Sequence, residues 1–333
     1  MFIRHTLFAA AALITSSCLP AGAFPDRMIT FIVPFAAGGS TDVVARILAE
    51  HMSRTLGQQI VIETAVGAGG TVGTARAAKA VPDGHTVVVG SLGPNVAAVG
   101  MYNSLPYDPI KDFEPVVMSV LQPMVVITKK DLPVANFREF VIYLKANGSK
   151  LNYGSGGVGA QSHLTCAYLN ELVGSKSQHV PYRGSAPSLN ALIAGQIDYS
   201  CNNTTEAVPQ IQANTVKPLA IAGNRKVPVL PEVPTAAEQG LKFEAMGWQA
   251  LFVPKGTPPA TIDKLNAAAR AAYADGAVRK RLLDLGNELP PAADQTPEAM
   301  GRFLKSEIDK WVLCVPKIRF DVDAGNGRGK LAA

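Results

Sequence analysis

Three glycine-centred loops carry the chemistry that this chain can offer. The first is Gly38-Gly39-Ser40-Thr41-Asp42, placed after the apolar run Phe31–Phe35 and ahead of Val43-Val44-Ala45-Arg46. The second is Gly67-Ala68-Gly69-Gly70-Thr71. The third is Gly154-Ser155-Gly156-Gly157-Val158-Gly159, followed by Gln161-Ser162-His163. Each lies between a segment that reads as a strand and one that reads as a helix. Ser40, Thr41 and Asp42 are residue types that cap helix N-termini. A strand feeding a glycine loop feeding a helix leaves backbone N–H groups pointing outward, a seat for a phosphate or a carboxylate.

What accompanies the loops narrows that chemistry. Gly154-x-Gly156-x-x-Gly159 has the spacing of a dinucleotide fingerprint, which also needs an acid about 20 residues further on to hold the ribose. That count lands near His179, and the next strand ends at Tyr182-Arg183 without an acid. The Gly67 loop leads to Val89-Gly90-Ser91, again with none. The sequence has no GxxxxGK[ST] phosphate loop and no G-x-S-x-G elbow. His85, His163 and His179 are scattered, with no HExxH or i,i+4 pair for a metal. His163, in the first turn of its helix, reads equally as a ligand contact or as a hydrogen-bonded cap residue. No catalytic residue, metal site or cofactor is expected. Anion seats without a nucleophile–base pair favour a binder over an enzyme.

Composition sets the frame. The 333 residues are 47% hydrophobic and 17% charged, which excludes a disordered chain and allows two lobes with a real core. The net charge of +5 is spread along the chain without stacking aromatics between the basic residues, so nucleic acid is not an expected partner. Arg4, the apolar run Leu7–Ile14 and Ala21-Gly22-Ala23 read as a secretory signal peptide over 1–23, cleaved after Ala23. The run is too short for a membrane span. Cys18 raises lipidation as the rival, but Thr15-Ser16-Ser17 lack the aliphatic residue expected ahead of a lipidated cysteine. The chain is therefore expected in the periplasm. Export puts Cys166, Cys201 and Cys314 in an oxidising compartment, with at most one bridge among them.

The elements that must position the loops follow a βα grammar. Strands are expected at Phe31–Phe35, Gln59–Glu63 and Thr86–Ser91, with helices from Asp42 and through Lys79. Gln122-Pro123 interrupts the apolar segment Val116–Thr128, which reads as two strands joined by a crossing, because proline does not suit a central strand. The grammar then repeats: strands Leu151–Tyr153, His179–Tyr182 and Ile197–Tyr199, helices from Ser162 and over Ser188–Ala194. Lys217–Ala222 reads as a strand returning to the first lobe, and the remainder as helical over 261–274, 277–285 and 297–311.

Ordered stretches of the chain resemble the solute receptors of tripartite tricarboxylate transporters, the Bug (Bordetella uptake gene) family. They are Pro34–Asp42 with Ala45-Arg46; Gly67–Gly70; Pro82–Gly84; Leu105–Pro109 with Lys111–Phe113; His163-Leu164; Val180–Ser185; Gly195–Asp198; Leu230–Thr235; Glu238–Gly240; and Glu307 with Lys310-Trp311. The resemblance implies an α/β fold of the periplasmic binding protein type II, with two doubly wound lobes around a central cleft and two crossing strands. The expected division is lobe 1 over 24–123 plus 225–324, lobe 2 over 124–224, and a flexible tail over 325–333. It also implies a monomer that captures a small carboxylate and hands it to a membrane permease. A co-receptor presenting the carboxylate to a sensor kinase, or a secreted enzyme using the same cleft, are the alternatives.

Carried over by the resemblance, one grip on the carboxylate falls on Ala37, Gly38, Gly39, Ser40 and Thr41, with Gly69, Gly70 and Thr71 opposite. The other falls on Ser155, Gly157, Gln161 and Ser162, with Ser91 and Asn203 at strand ends. In that layout Cys166 and Cys201 approach one another, and a disulfide is expected between them. The chain departs from the family pattern at Glu63-Thr64-Ala65-Val66, where a basic residue and a proline are usual, and at His85, where an aromatic is usual.

Overall fold

The computed structural model describes residues 24–314. The signal peptide expected over 1–23, Cys18 within it, and the tail expected over 325–333 lie outside the described residues, as does the side chain of Cys314. In chain order the elements are β1 (Ile29–Val33), α1 (Ser40–Leu56), β2 (Ile60–Thr64), α2 (Thr71–Ala78), β3 (Thr86–Ser91), α3 (Ala98–Met101) and β4 (Phe113–Thr128). Then come α4 (Phe137–Asn147), β5 (Asn152–Ser155), α5 (Gln161–Val173), β6 (Gln178–Pro181), α6 (Ser185–Ile193), β7 (Tyr199–Asn203), α7 (Thr204–Gln212) and β8 (Lys217–Ile221). The chain closes with β9 (Met246–Pro254), α8 (Pro259–Ala274), α9 (Gly276–Asp284) and α10 (Pro297–Cys314).

Among the described residues nine strands run in the order β2-β1-β3-β9-β4-β7-β5-β6, with β8 also beside β4. The βα repeats give parallel pairs at β1–β2, β1–β3, β5–β6 and β5–β7, while β9 is antiparallel to both of its neighbours. Apolar clusters cover both faces of each half. Val44, Leu48 and Leu265 belong to one, Ala77, Leu92 and Phe252 to its counterpart across the first-lobe strands. Phe137, Phe140 and Leu169 cover one face of the second lobe, and Leu189, Leu192 and Val208 the other. The result is the expected architecture of two helix-flanked α/β lobes joined at a shared strand.

That shared strand corrects the sequence reading at Pro123. Val116–Thr128 is one strand, not two, because β4 changes partners at the proline. Pro123 pairs with Met246 at the start of β9, and Met124 pairs with Asn203 at the end of β7. A residue without an N–H is tolerated where one ladder ends and the next begins. The expected return of Lys217–Ala222 to the first lobe is also corrected, since β8 pairs with Val125–Thr128 of β4. Val227, Leu230 and Val233 then pack in one second-lobe core, and Ala236 and Phe243 in the other. The chain crosses back only at Ala245–Met246, later than residue 225. It enters β9, a buried central strand in a stretch to which the sequence reading gave no element.

Cys166 on α5 and Cys201 on β7 form the expected disulfide, with a Cα–Cα distance of 5.5 Å. Cys201 lies inside β7, which starts two residues later than expected and so carries the thiol toward α5.

Candidate ligand-binding cleft

The loop after β1 forms one jaw. Its helix α1 is capped by Gly39 in an extended conformation, so Ser40, Thr41 and Asp42 sit inside the first turn rather than capping it. Asp42 instead turns back. Its Oδ2 accepts from Gly38 N at 2.9 Å and from Arg46 Nε at 2.9 Å, which clamps the loop to its own helix. An acid in the first turn also suits the positive end of the helix.

The opposing jaw is the loop between β5 and α5. Ser162 Oγ accepts from Gly156 N at 2.9 Å, and Ser155 Oγ accepts from Gly157 N at 3.0 Å. Beneath this loop two histidine rings stack with centroids 4.0 Å apart. His163 Nδ1 accepts from Gly159 N at 3.1 Å, and His179 Nε2 shares a 2.6 Å hydrogen bond with Ser155 Oγ. Burial lowers His179 to about 4 and holds His163 well below the ordinary histidine range, so both rings are neutral at pH 7. Of the two readings open for His163, the structure gives the loop-holding one.

The jaws touch. Ala36 N donates to Arg183 O at 3.1 Å, and Ser40 N donates to Glu206 Oε2 at 3.1 Å. Glu206, at the start of α7, is 6% exposed and also accepts from Asn202 Nδ2 at 2.6 Å and from Ser185 Oγ. Burial pushes its carboxyl above the usual range. It spans from the second lobe to the N-terminus of α1, and part of the expected anion seat is thus held by the protein's own acid.

Between the jaws lies a cavity of about 30 Å³. Ser40, Thr41 and Phe35 line it from the first jaw, Gly156, Ala160, Gln161 and Ser162 from the second. Ser91, Gln122, Ser185, Asn203 and Gln249 complete it. Among the described residues no charged side chain lines it. Ser40 Oγ accepts from Asn203 Nδ2 at 2.8 Å and from Gln249 Nε2 at 3.4 Å. With both lone pairs engaged, its proton remains to be donated. Ser162 Oγ, which accepts from Gly156 N, likewise keeps a proton to give. One hydroxyl donor therefore stands on each lobe.

Ser40, Thr41, Ser91, Gln161, Ser162 and Asn203 of the expected ligand set line this cavity together. Ala37, Gly38, Gly39, Gly69, Gly70, Thr71, Ser155 and Gly157 shape the jaws around it instead. A Cβ on Gly39 would stand 2.8 Å from Ser185 Oγ, and one on Gly157 would stand 3.4 Å from Gly69 N. Gln122, Ser185, Glu206 and Gln249 were not singled out from the sequence. Gln249 had a legible signal, a polar residue within the apolar run Trp248–Val253.

Residues 44–319 match the tripartite tricarboxylate transporter family receptor, TctC. The chain belongs to this family. MatC from Rhodopseudomonas palustris, solved with bound malate, is 42% identical. It matches over 88% of this chain and 100% of its own, with a TM-score of 0.85. The periplasmic binding protein BugD is 38% identical over 89% of this chain and 98% of its own, with a TM-score of 0.86. An R. palustris protein solved with adipate is 30% identical over 89% and 99%, with a TM-score of 0.84. In the segment Glu63–Val66, where this TctC receptor departs from the family pattern, Glu63 is held by Arg76 at 2.9 Å. Its His85 stacks edge-on against Phe24, with centroids 5.0 Å apart.

Proposed function

We propose that this TctC receptor works outside the inner membrane, capturing a small carboxylate between its lobes and delivering it to the permease of a tripartite tricarboxylate transporter. The observation that carries the reading is the uncharged cavity with one available hydroxyl donor on each lobe, Ser40 and Ser162. Neutral donors hold an anion through hydrogen bonds without the deep trap that a buried cation would make, and so let it go again. The backbone N–H groups of Ala37, Gly39, Thr41 and Gly69 add to the grip, while those of Gly38, Ser40, Gly70, Thr71 and Gly157 already donate within the protein and hold the jaws in shape. Malate and adipate in two relatives support a carboxylate as the ligand class. A cavity of about 30 Å³ holds little more than two waters, so capture and release require the lobes to part, a hinge motion. Export through a leader cleaved after Ala23 fits the periplasmic character of BugD.

Calorimetry against mono-, di- and tricarboxylates, aromatic acids and amino acids tests the reading. Binding confined to one or a few carboxylates is expected, and a flat response across the panel would overturn it.

A further inference from the structure

One residue that lines the cavity carries an acceptor that the protein leaves unmatched. Gln249 is 1% exposed and lines the cavity, and its Oε1 is buried without a hydrogen-bond partner. Its orientation is fixed by a chain of amides that begins at a group able only to accept. Asn287 Nδ2 donates to the Leu282 carbonyl at 2.9 Å, which turns Asn287 Oδ1 toward Gln122. Gln122 Nε2 donates to that oxygen at 3.1 Å and to Thr205 Oγ1 at 2.7 Å, so Gln122 Oε1 must accept. It accepts from Gln249 Nε2 at 2.9 Å. Reversing the Gln249 amide would set carbonyl oxygen against carbonyl oxygen, so Oε1 is the end of the amide that the relay leaves without a partner.

We propose that Gln249 is a specificity-determining residue that selects carboxylates carrying a hydrogen-bond donor, a hydroxyl or an ammonium, beside the carboxylate. The proposal deepens the carboxylate-receptor reading and rests on it. Gln249 Nε2 and Asn203 Nδ2 occupy the lone pairs of Ser40 Oγ, leaving that hydroxyl to donate to the carboxylate. Gln249 Oε1, on the same amide, then accepts from the neighbouring substituent. A ligand without that donor leaves a buried acceptor unpaired, which costs about ten- to a hundredfold in affinity. Asn287 and Thr205, which lie off the cavity, act as positioning residues for Gln249 through Gln122, which also lines the cavity.

Calorimetry with malate, succinate, 2-methoxysuccinate and aspartate separates the effect of the donor from that of size and charge. Malate is expected to bind about ten- to a hundredfold tighter than succinate. 2-Methoxysuccinate, which keeps the oxygen and loses the proton, should fall with succinate. In Gln249→Met the gap between malate and succinate should shrink to within about threefold. Equal binding of malate and succinate, or an undiminished gap in Gln249→Met, would overturn the proposal. If Gln249→Met does not fold, the ligand series alone decides, with 2-methoxysuccinate matching malate as the overturning result. If aspartate, malate, succinate, adipate and tricarboxylates all fail to bind the unaltered protein, the carboxylate-receptor reading itself falls, and this proposal with it.

Discussion

A Cβ built on Gly69, in the first lobe, would stand 2.0 Å from the carbonyl oxygen of Val158 in the second. The two backbones meet there without room for a methyl group, at the rim of the cleft. Gly69→Ala is expected to wedge the jaws apart and weaken carboxylate binding by tenfold or more, on the order of 1–3 kcal/mol for overpacking a tight contact. Gly69 also has a φ of 62°, so the substitution adds backbone strain. Gly57→Ala is the control, because Gly57 has a φ of 70° with nothing within 4 Å of its Cβ position. Both variants should lose about 1 kcal/mol of stability, and only Gly69→Ala should lose affinity. Small-angle scattering with saturating malate would show Gly69→Ala more extended than the parent. Equal compactness and affinity would refute the wedge.

Cys166–Cys201 closes a loop with a sequence separation of 35. Both residues belong to the second-lobe core around Phe140 and Tyr199. Loop-closure reasoning assigns the bridge about 3–4 kcal/mol. Reduction, or Cys166→Ala with Cys201→Ala, should lower the urea midpoint without changing which carboxylate is bound, since neither cysteine lines the cavity. An unchanged midpoint under reductant would contradict the assignment.

How much of this was legible in the sequence depends on where the determining contact lies. The loops Gly38–Asp42, Gly67–Thr71 and Gly154–Gly159 were legible because strand, loop and helix signals are local and consecutive. β9 was missed although Trp248–Val253 is apolar apart from Gln249, because its partners Val88–Ser91 and Phe113–Pro123 are far away in the chain. Pro123 misled for the same reason. A proline's cost depends on whether its position needs an N–H, and only the ladder exchange between β9 and β7 shows that it does not. Glu206 was illegible as a cleft residue because its partner Ser40 is 166 positions distant. Nothing in Asn203-Thr204-Thr205-Glu206 marks which lobe the acid will face.

His179 predicts an acid-sensitive second lobe. Burial lowers it to about 4, against an ordinary value near 6.5. Above pH 6.5 the folded and unfolded chains are both neutral there, and this group costs nothing. As pH falls from 6.5 toward 4 the unfolded chain takes a proton that the folded one refuses, and stability declines by roughly 2–3 kcal/mol. His163 adds to the loss in the same direction. Urea unfolding at pH 7, 5.5 and 4.5 should therefore fall less steeply in His179→Gln than in the parent. Parallel pH profiles for the two would show that this ring does not titrate as argued.

Glu206 predicts the opposite slope. Its carboxyl titrates above the ordinary value of 4.5, because burial outweighs the donors from Ser185, Asn202 and Ser40. Below pH 4.5 the acid is protonated in both the folded and the unfolded chain, and its contribution to stability is fully present. As pH rises, the unfolded chain releases the proton first, so that contribution is lost as pH passes through the folded value. The elements around it bring Asp42 and Arg46 on α1, which pair with each other at 2.9 Å, and Arg183 ahead of α6, whose carbonyl accepts from Ala36 N. Glu206→Gln has the charge and nearly the shape of the protonated acid, so it removes the titration while keeping a side chain able to reach Ser40 N. The stability of Glu206→Gln relative to the parent should therefore increase from pH 5 to pH 8, read as the difference between their urea midpoints at equal slope. A difference that stays constant over that range would mean that Glu206 is ionised in the fold throughout, held by its donors against the cost of burial.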